Sequence, residues 1–376
     1  MEQANVIKKE TNRELNIELL RIVAMLMVVT LHCLGNGKLL ENPYINVYNT
    51  VLITLLNTFS LTANAIFLII TGYYSINKKF NLKRILTLWG KTIFYSWAIF
   101  IICNLLNMRT VVFDSIFPIL SGEYWFITAY IAFYFLQPII NIVVNKLNQK
   151  QFKYLLITLT IMVGIIRVLF NPAGIFSGGI LPFTLMYMIG AYIRKYVSIK
   201  PNQKYFVKYI LFTAITALLY IVIYIISLSI DNNIFYSKIK TVLIGIREYN
   251  CILVIIMTIL IFMKFKTITI KSKFMTKLIT IISPSMFSIY LIHQSINIRD
   301  IMWLKMGIMN YADSWLMLPY IVLMIISVFI ACLLIDLIIR GICYGIKKIP
   351  IINRCINKLN NRLDNISSKL NSYIFE

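Results

Sequence analysis

Apolar runs of about 20 residues, the length a helix needs to cross a bilayer, recur from one end of this chain to the other. Short stretches holding most of the lysines and arginines separate them. The pattern predicts ten membrane-spanning helices, at 15–35, 51–75, 85–107, 123–144, 153–171, 178–194, 207–229, 241–263, 279–296 and 316–339. The fold class expected is therefore all-α, a polytopic integral membrane protein, with no second soluble domain and no internal repeat.

The connections give the orientation. Cations crowd the N-terminal tail (Lys8, Lys9, Arg13), the second connection (Lys78, Lys79, Lys83, Arg84) and the fourth (Lys146, Lys150, Lys153). They crowd the sixth (Arg194, Lys195, Lys200, Lys204, Lys208) and the eighth (Lys264, Lys266, Lys271, Lys273, Lys277) as well. The alternate connections are poor in cations, which Glu41, Asp114, Asp231, Asp300 and Asp313 partly match. Positive charge stays on the cytoplasmic side, so both termini are expected inside. The chain then divides into a cytoplasmic tail (1–14), a ten-helix membrane domain (15–340) and a basic C-terminal tail (341–376). The spacing of Ile352, Cys355, Ile356, Leu359, Leu363 and Ile366 predicts an amphipathic helix on anionic lipid in that last segment.

Composition agrees. Of 376 residues 59% are hydrophobic and only 14% charged, where a soluble chain of ordinary composition carries about a quarter charged. The net charge of +23 sits in loops and forms no basic face, which argues against nucleic acid as a partner. The six cysteines form no CxxC pair and read as small packing residues, not disulfides or metal ligands. The first span carries charge and lacks a small-residue cleavage site, so it is expected to stay in the mature protein. No metal site is expected, since the chain's two histidines fall short of a catalytic zinc set. No HExxH, P-loop or GxSxG motif is present.

Candidate chemistry lies in the charges inside the spans, where an ionisable side chain costs at least ~2.5 kcal/mol near the bilayer centre and marks a path or a partner. In Glu14–Gly35, Arg21 and His32 are eleven residues apart. That spacing is close to three helical turns, so the two share one face with ~16 Å between them. Arg84 and Lys91 in the third span join Arg21 as an inner cationic group. Arg167, Arg247, Glu248 and His293 belong to the outer half. Histidine suits proton transfer near neutral pH, which makes His32 the leading catalytic candidate. His293 reads equally well as a packing residue, and snorkelling to the interface accounts equally well for Arg84 and Arg167. Glu248 or Tyr130 is expected to orient the His32 imidazole.

Arg21 and His32 with ten residues between them, GEYWFITAYIAFYFLQPIIN (122–141) and SMFSIYLIH (285–293) together resemble the acyltransferase 3 family. The resemblance runs from about residue 13 to 340. It implies a bacterial cytoplasmic-membrane O-acyltransferase that takes an acyl group, commonly acetyl, from cytoplasmic acyl-CoA. The acceptor it implies is a hydroxyl of an extracytoplasmic glycan. It also implies that Arg21 and His32 are needed for transfer, with Trp125 in the mid-chain motif and His293 in the late one. Two positions depart from the family pattern. Tyr130 stands where many relatives carry a glutamate after Trp125, and Thr87 follows Arg84 where relatives often have a second arginine. No fused hydrolase-like domain is seen, so the chain completes transfer itself or hands the group to a glycan-assembly partner.

The expected mechanism places the coenzyme A phosphates on Arg21, Arg84 and Lys91, with the pantetheine arm running toward His32. His32 then acts as general base or as nucleophile, and the sequence leaves both routes open. Acyl-CoA is a substrate here, and no permanently bound cofactor is expected. Outer aromatics such as Trp125 either stack on sugar or anchor the protein at the interface. A transporter or flippase of a glycan-assembly pathway is the competing class, because carriers also line their routes with buried charge. A non-enzymatic subunit is a third.

Overall fold

A computed structural model describes residues 14–41, 45–170, 179–201, 203–229 and 233–375. The tail cations Lys8, Lys9 and Arg13, the 171–177 connection and Asp231 lie outside the described residues. Every regular element among the described residues is helical. Among the described residues eight helices are long and apolar enough to cross a membrane.

The first helix, α1 (Leu15–Asn36), is the central strut. Leu20, Ala24, Val29, Cys33 and Leu34 are fully enclosed, because neighbours surround it on most sides. Those neighbours include α2 (Val47–Ser60) and α3 (Ala63–Ser75), which form one broken span. A long amphipathic face is unnecessary for such a helix, since apolar residues all round suit a buried position.

α4 (Leu82–Leu105) follows, then a short α5 (Val112–Ile116) and α6 (Trp125–Lys146). α7 runs Gln149–Ile161 and passes through a π-helical turn, Met162–Ile166, into a last turn at Arg167–Phe170. Its start is set by a reciprocal cap between Asn148 and Gln151, which satisfies two otherwise orphaned backbone donors.

The sixth predicted span appears as α8 (Ile180–Tyr196), with 17 residues. That is ~26 Å of helix, a little under the hydrocarbon thickness. α8 lies inside the bundle against α3. A Cβ on Gly72 would sit 1.9 Å from the Tyr187 carbonyl oxygen, and one on Gly190 would sit 2.2 Å from that of Ile69. Only glycine lets the two backbones approach so closely, which is how membrane helices gain contact without a hydrophobic drive between them.

α9 (Tyr205–Leu228) matches the seventh expected span. The eighth, expected as one helix over 241–263, is instead two: α10 (Asn233–Ile246) and α11 (Ile252–Lys266). The interruption holds Arg247, Glu248, Tyr249 and Asn250. Arg167 Nη1 donates to Asn250 Oδ1 at 3.0 Å, and Arg167 Nη2 lies 3.2 Å from Glu248. Asn250 Nδ2 in turn donates to the Val163 carbonyl at 3.0 Å, inside the π-helical turn. Polar partners on a neighbouring helix thus hold the broken backbone.

The ninth span is also broken. α12 (Lys273–Ile282) meets α13 (Met286–His293) at a 3-10 turn, Ser283–Ser285, containing Pro284. Proline lacks the donor a continuous helix needs there. After α14 (Arg299–Lys305), the long α15 (Met317–Lys347) completes the bundle. The tail forms α16 (Pro350–Phe375), which returns to the start of α4. There Asn371 bonds both the N–H and the C=O of Phe80, at 2.9 and 2.8 Å, and Ser367 Oγ accepts from Leu82 N–H at 3.0 Å.

Candidate functional site

The two histidines of the chain meet. His32 Nδ1 and His293 Nε2 are 2.8 Å apart, and His293 Nδ1 lies 2.6 Å from the carbonyl oxygen of Ile289. A carbonyl only accepts, so in the neutral pair His293 Nδ1 carries the proton and donates it to Ile289. His293 Nε2 is then a lone pair that accepts from His32 Nδ1–H. His32 Nε2 is left as the bare base of the pair. His293 is wholly buried and His32 keeps some accessible surface. A buried ring that fixes the tautomer of a more accessible one follows the logic of a catalytic base held by a third group.

Two cavities lie along α1. The one toward the N-terminal end of α1, labelled inner after the expected orientation, has about 560 Å³ and is lined by Glu14, Glu18 and Arg21 of the first helix and its cap, and by Lys78, Arg84, Tyr130, Ser283 and Tyr290. The outer one, about 520 Å³, is lined by Leu31, Asn57, Trp125, Arg247, Glu248 and Tyr249. Asn64 lines both. On α1, Val28 lines the inner cavity and Leu31 the outer; His32 follows them on the same helix, and neither histidine is itself among the lining residues of either cavity. The His32 ring centroid is 6.4 Å from that of Tyr290, a lining residue of the inner cavity.

The inner cavity's charges are unevenly committed. Arg21 is ion-paired with Glu18, one turn away, and Glu18 also accepts from the Ser283 hydroxyl. Glu14 is ion-paired with Lys266. Arg84 Nη2 donates to the Tyr130 hydroxyl at 2.7 Å, with its guanidinium 5.3 Å from the Tyr134 ring centroid. Lys78 lies in the connection before α4. Burial, with Arg84 and Arg21 nearby, pushes its ammonium below the usual lysine value. Glu18 within the wall thus answers Arg21, while Arg84 has a neutral partner and no acid is ion-paired with Lys78 among the described residues.

The remaining sequence candidates fall as follows. Lys91, expected with Arg21 and Arg84, lies on α4 two turns after Arg84 and is not among the inner cavity's lining residues, whereas Arg84 and Leu88 are. Glu248, expected to orient His32, is bonded to Arg167 in the outer wall. Tyr130, the other candidate for that role, is bonded to Arg84 in the inner wall. His293 holds His32 in their place. Trp125 is 41% exposed at the outer cavity, its ring centroid 6.2 Å from that of Tyr249. Glu123, just before α6, is ion-paired with Arg299 at 3.1 Å, and burial raises its carboxyl while Arg299 opposes that rise.

Sequence reasoning missed Lys78, Glu18, Asn64 and Ser283 as parts of this site. A signal existed for Glu18: with Glu14 and Arg21 it follows an i, i+4, i+7 spacing, one helix face. Lys78 read only as a loop cation. No group of His, Cys, Asp and Glu among the described residues has the arrangement to hold a metal ion.

Fold and site together define a multi-pass helical membrane protein with a histidine pair and two cavities that share the wall residue Asn64. A family model described as an acyltransferase domain, Acyl_transf_3, matches residues 14–337, and the chain belongs to that family. Membership makes it a membrane acyltransferase in general class. Neither a curated protein nor a solved structure matches the chain.

Proposed function

We propose that the protein moves an acyl group, acetyl in the simplest case, from cytoplasmic acyl-CoA to a hydroxyl of an extracytoplasmic glycan in a bacterial plasma membrane. The observation that carries this reading is the 2.8 Å contact of His32 with His293, on the helix whose Val28 and Leu31 line the two cavities. In this reading ten helical segments cross or enter the bilayer with both termini inside, α8 and the broken α10–α11 pair adding to the eight long helices. The positive-inside pattern of the connections supports that orientation.

The inner cavity then opens toward the cytoplasm. Lys78 and Arg84 take the phosphates of coenzyme A, since phosphate is held by cations at close range. Arg21 stands on the same wall with Glu18 as its resident partner, and an arriving phosphate competes for it. The pantetheine arm covers the ~16 Å from Arg21 toward His32.

At the pair, His32 Nε2 accepts the proton of the acceptor hydroxyl as the oxygen attacks the thioester carbonyl. The new C–O bond forms, the C–S bond breaks, and the proton passes from His32 to the departing thiolate. The products are the glycan ester and free coenzyme A. During this step His32 carries positive charge, which the His293 lone pair and, through it, the Ile289 carbonyl stabilise. In the nucleophile route His32 Nε2 attacks the thioester carbonyl, the C–S bond breaks and the thiolate leaves; the glycan hydroxyl then takes the acyl group as the C–N bond breaks, its proton ending on the thiolate, and the same hydrogen bond orients the ring. A transport reading draws on the same two cavities. Family membership favours acyl transfer over it.

Sealed vesicles of known sidedness test the proposal. Inside-out vesicles carrying the protein should release free coenzyme A from added acetyl-CoA when glycan is enclosed, and right-side-out vesicles should not. Equal release from both, or none from either, would count against a cytoplasmic donor.

A further inference from the structure

The outer cavity's charges do not cancel. Of the side chains that line it, two are charged, Arg247 and Glu248. Glu248 is committed to Arg167, which is 8% exposed and also bonded to Asn250. Arg247 has no such answer. Its Nη1 donates to the Tyr220 hydroxyl at a long 3.4 Å, and its guanidinium carbon lies 5.4 Å from that ring's centroid. Among the described residues no carboxylate pairs with it. The phenol supports the plane of the guanidinium and leaves its charge uncompensated.

The helix break explains why both residues reach one cavity. Neighbours on a continuous helix point about 100° apart, whereas Arg247 and Glu248 sit in the turn between α10 and α11. The rest of the wall is aromatic and amide: Trp125, Tyr249, Asn57 and Asn64. Such a wall fits a sugar ring, with apolar faces for stacking and amides for hydroxyls. A free guanidinium beside it fits a planar carboxylate or a phosphate, which accept two parallel hydrogen bonds from it.

We infer that the outer cavity takes an anionic saccharide, an acceptor with a carboxylate or phosphate near the hydroxyl to be acylated, and that Arg247 reads that charge. The fate of the hydroxyl rests on the acyl-transfer proposal, whereas the charge preference of the cavity does not.

The test uses the full-length protein in neutral-lipid nanodiscs with three probes: methyl glucoside, methyl glucuronide and a glucosyl phosphodiester. Equilibrium binding is read from tryptophan fluorescence, and coenzyme A release from acetyl-CoA is followed in parallel. Wild type should favour the charged probes by about tenfold, the scale of one charge-assisted pair. Arg247→Gln should bring the ratio of charged to neutral binding toward one, and Arg247→Lys should restore part of it. Whichever charged probe binds more tightly identifies the anion as carboxylate or phosphodiester. Equal binding of all three by wild type overturns the inference. So does an Arg247→Gln loss that falls equally on neutral and charged probes, which marks a structural role only. If added phosphatidylglycerol abolishes the preference, the arginine serves lipid phosphate and the inference is wrong. Charge-selective binding without any coenzyme A release keeps the cavity assignment and sinks the acyl-transfer proposal.

Discussion

His32 Nδ1 and His293 Nε2, 261 positions apart in the chain, are 2.8 Å apart in space. The contact makes His293 a positioning residue, since it acts on the chemistry through His32. Replacing it with alanine removes the acceptor for His32 Nδ1–H, and kcat should fall by about two orders of magnitude, the scale of a disturbed general base. The KM for acyl-CoA should change little, because His293 lies outside the inner cavity's lining. His293→Gln, whose amide oxygen can still accept, should recover part of kcat. Steady-state kinetics with both variants check this. A parallel loss of kcat and rise of KM in both would instead mark a packing role.

Lys78 gives a pH dependence. Its ammonium lies below the ordinary lysine value because of burial, Arg84 and Arg21. A depressed lysine loses its charge at lower pH than a free one, so binding of the anionic donor should weaken as pH rises toward about 10. The same depression means that the protonated form is disfavoured by folding, and this group's contribution to stability improves as pH rises through its folded value. Lys78→Arg stays charged throughout and should flatten the affinity profile. Titration calorimetry of coenzyme A binding from pH 7 to 10 measures the difference. An identical fall in wild type and Lys78→Arg would assign the dependence elsewhere.

Gly190 tests the packing of α3 against α8. A Cβ there meets the Ile69 carbonyl at 2.2 Å and the Tyr73 N–H nitrogen at 2.9 Å, both backbone atoms that cannot rotate aside. Gly190→Ala should destabilise the bundle by about 1–3 kcal/mol, the usual cost of overpacking. Gly35→Ala, where nothing lies within 4 Å of the added carbon, should do much less. Thermal unfolding in detergent compares the two, and equal melting temperatures would show that the helices separate easily.

Asn371 ties the C-terminal helix to the start of α4 through both backbone groups of Phe80. Asn371→Ala leaves that buried donor and acceptor unpaired, at about 1–3 kcal/mol for the unsatisfied groups. Hydrogen exchange should rise in 350–375 and in the first turn of α4, which carries Arg84. Exchange unchanged in both segments would mean that the tail docks through its apolar contacts alone.

The sequence made the helices legible wherever one apolar run meets one span. The first helix, expected at 15–35, is Leu15–Asn36. The break at 247–251 was hidden for a physical reason. Its backbone is held by Arg167 and Asn250 across two helices, and no local pattern encodes such a partner. Arg21 and His32 share a helix face that spacing reveals. The partnership of His32 with His293 joins helices far apart in the chain and had to await the fold. Lys91 shares the face of Arg84 and Leu88 by spacing but lies beyond the inner cavity's lining, and how far a cavity extends along a helix is not written in the sequence.

The central claim is that acyl transfer passes through His32. The most direct measurement is coenzyme A release from acetyl-CoA by purified protein in nanodiscs, with glycan supplied, for wild type and His32→Ala at matched protein levels. The account predicts release by wild type and a loss of at least about a hundredfold in the variant. Wild-type release that His32→Ala retains would contradict it.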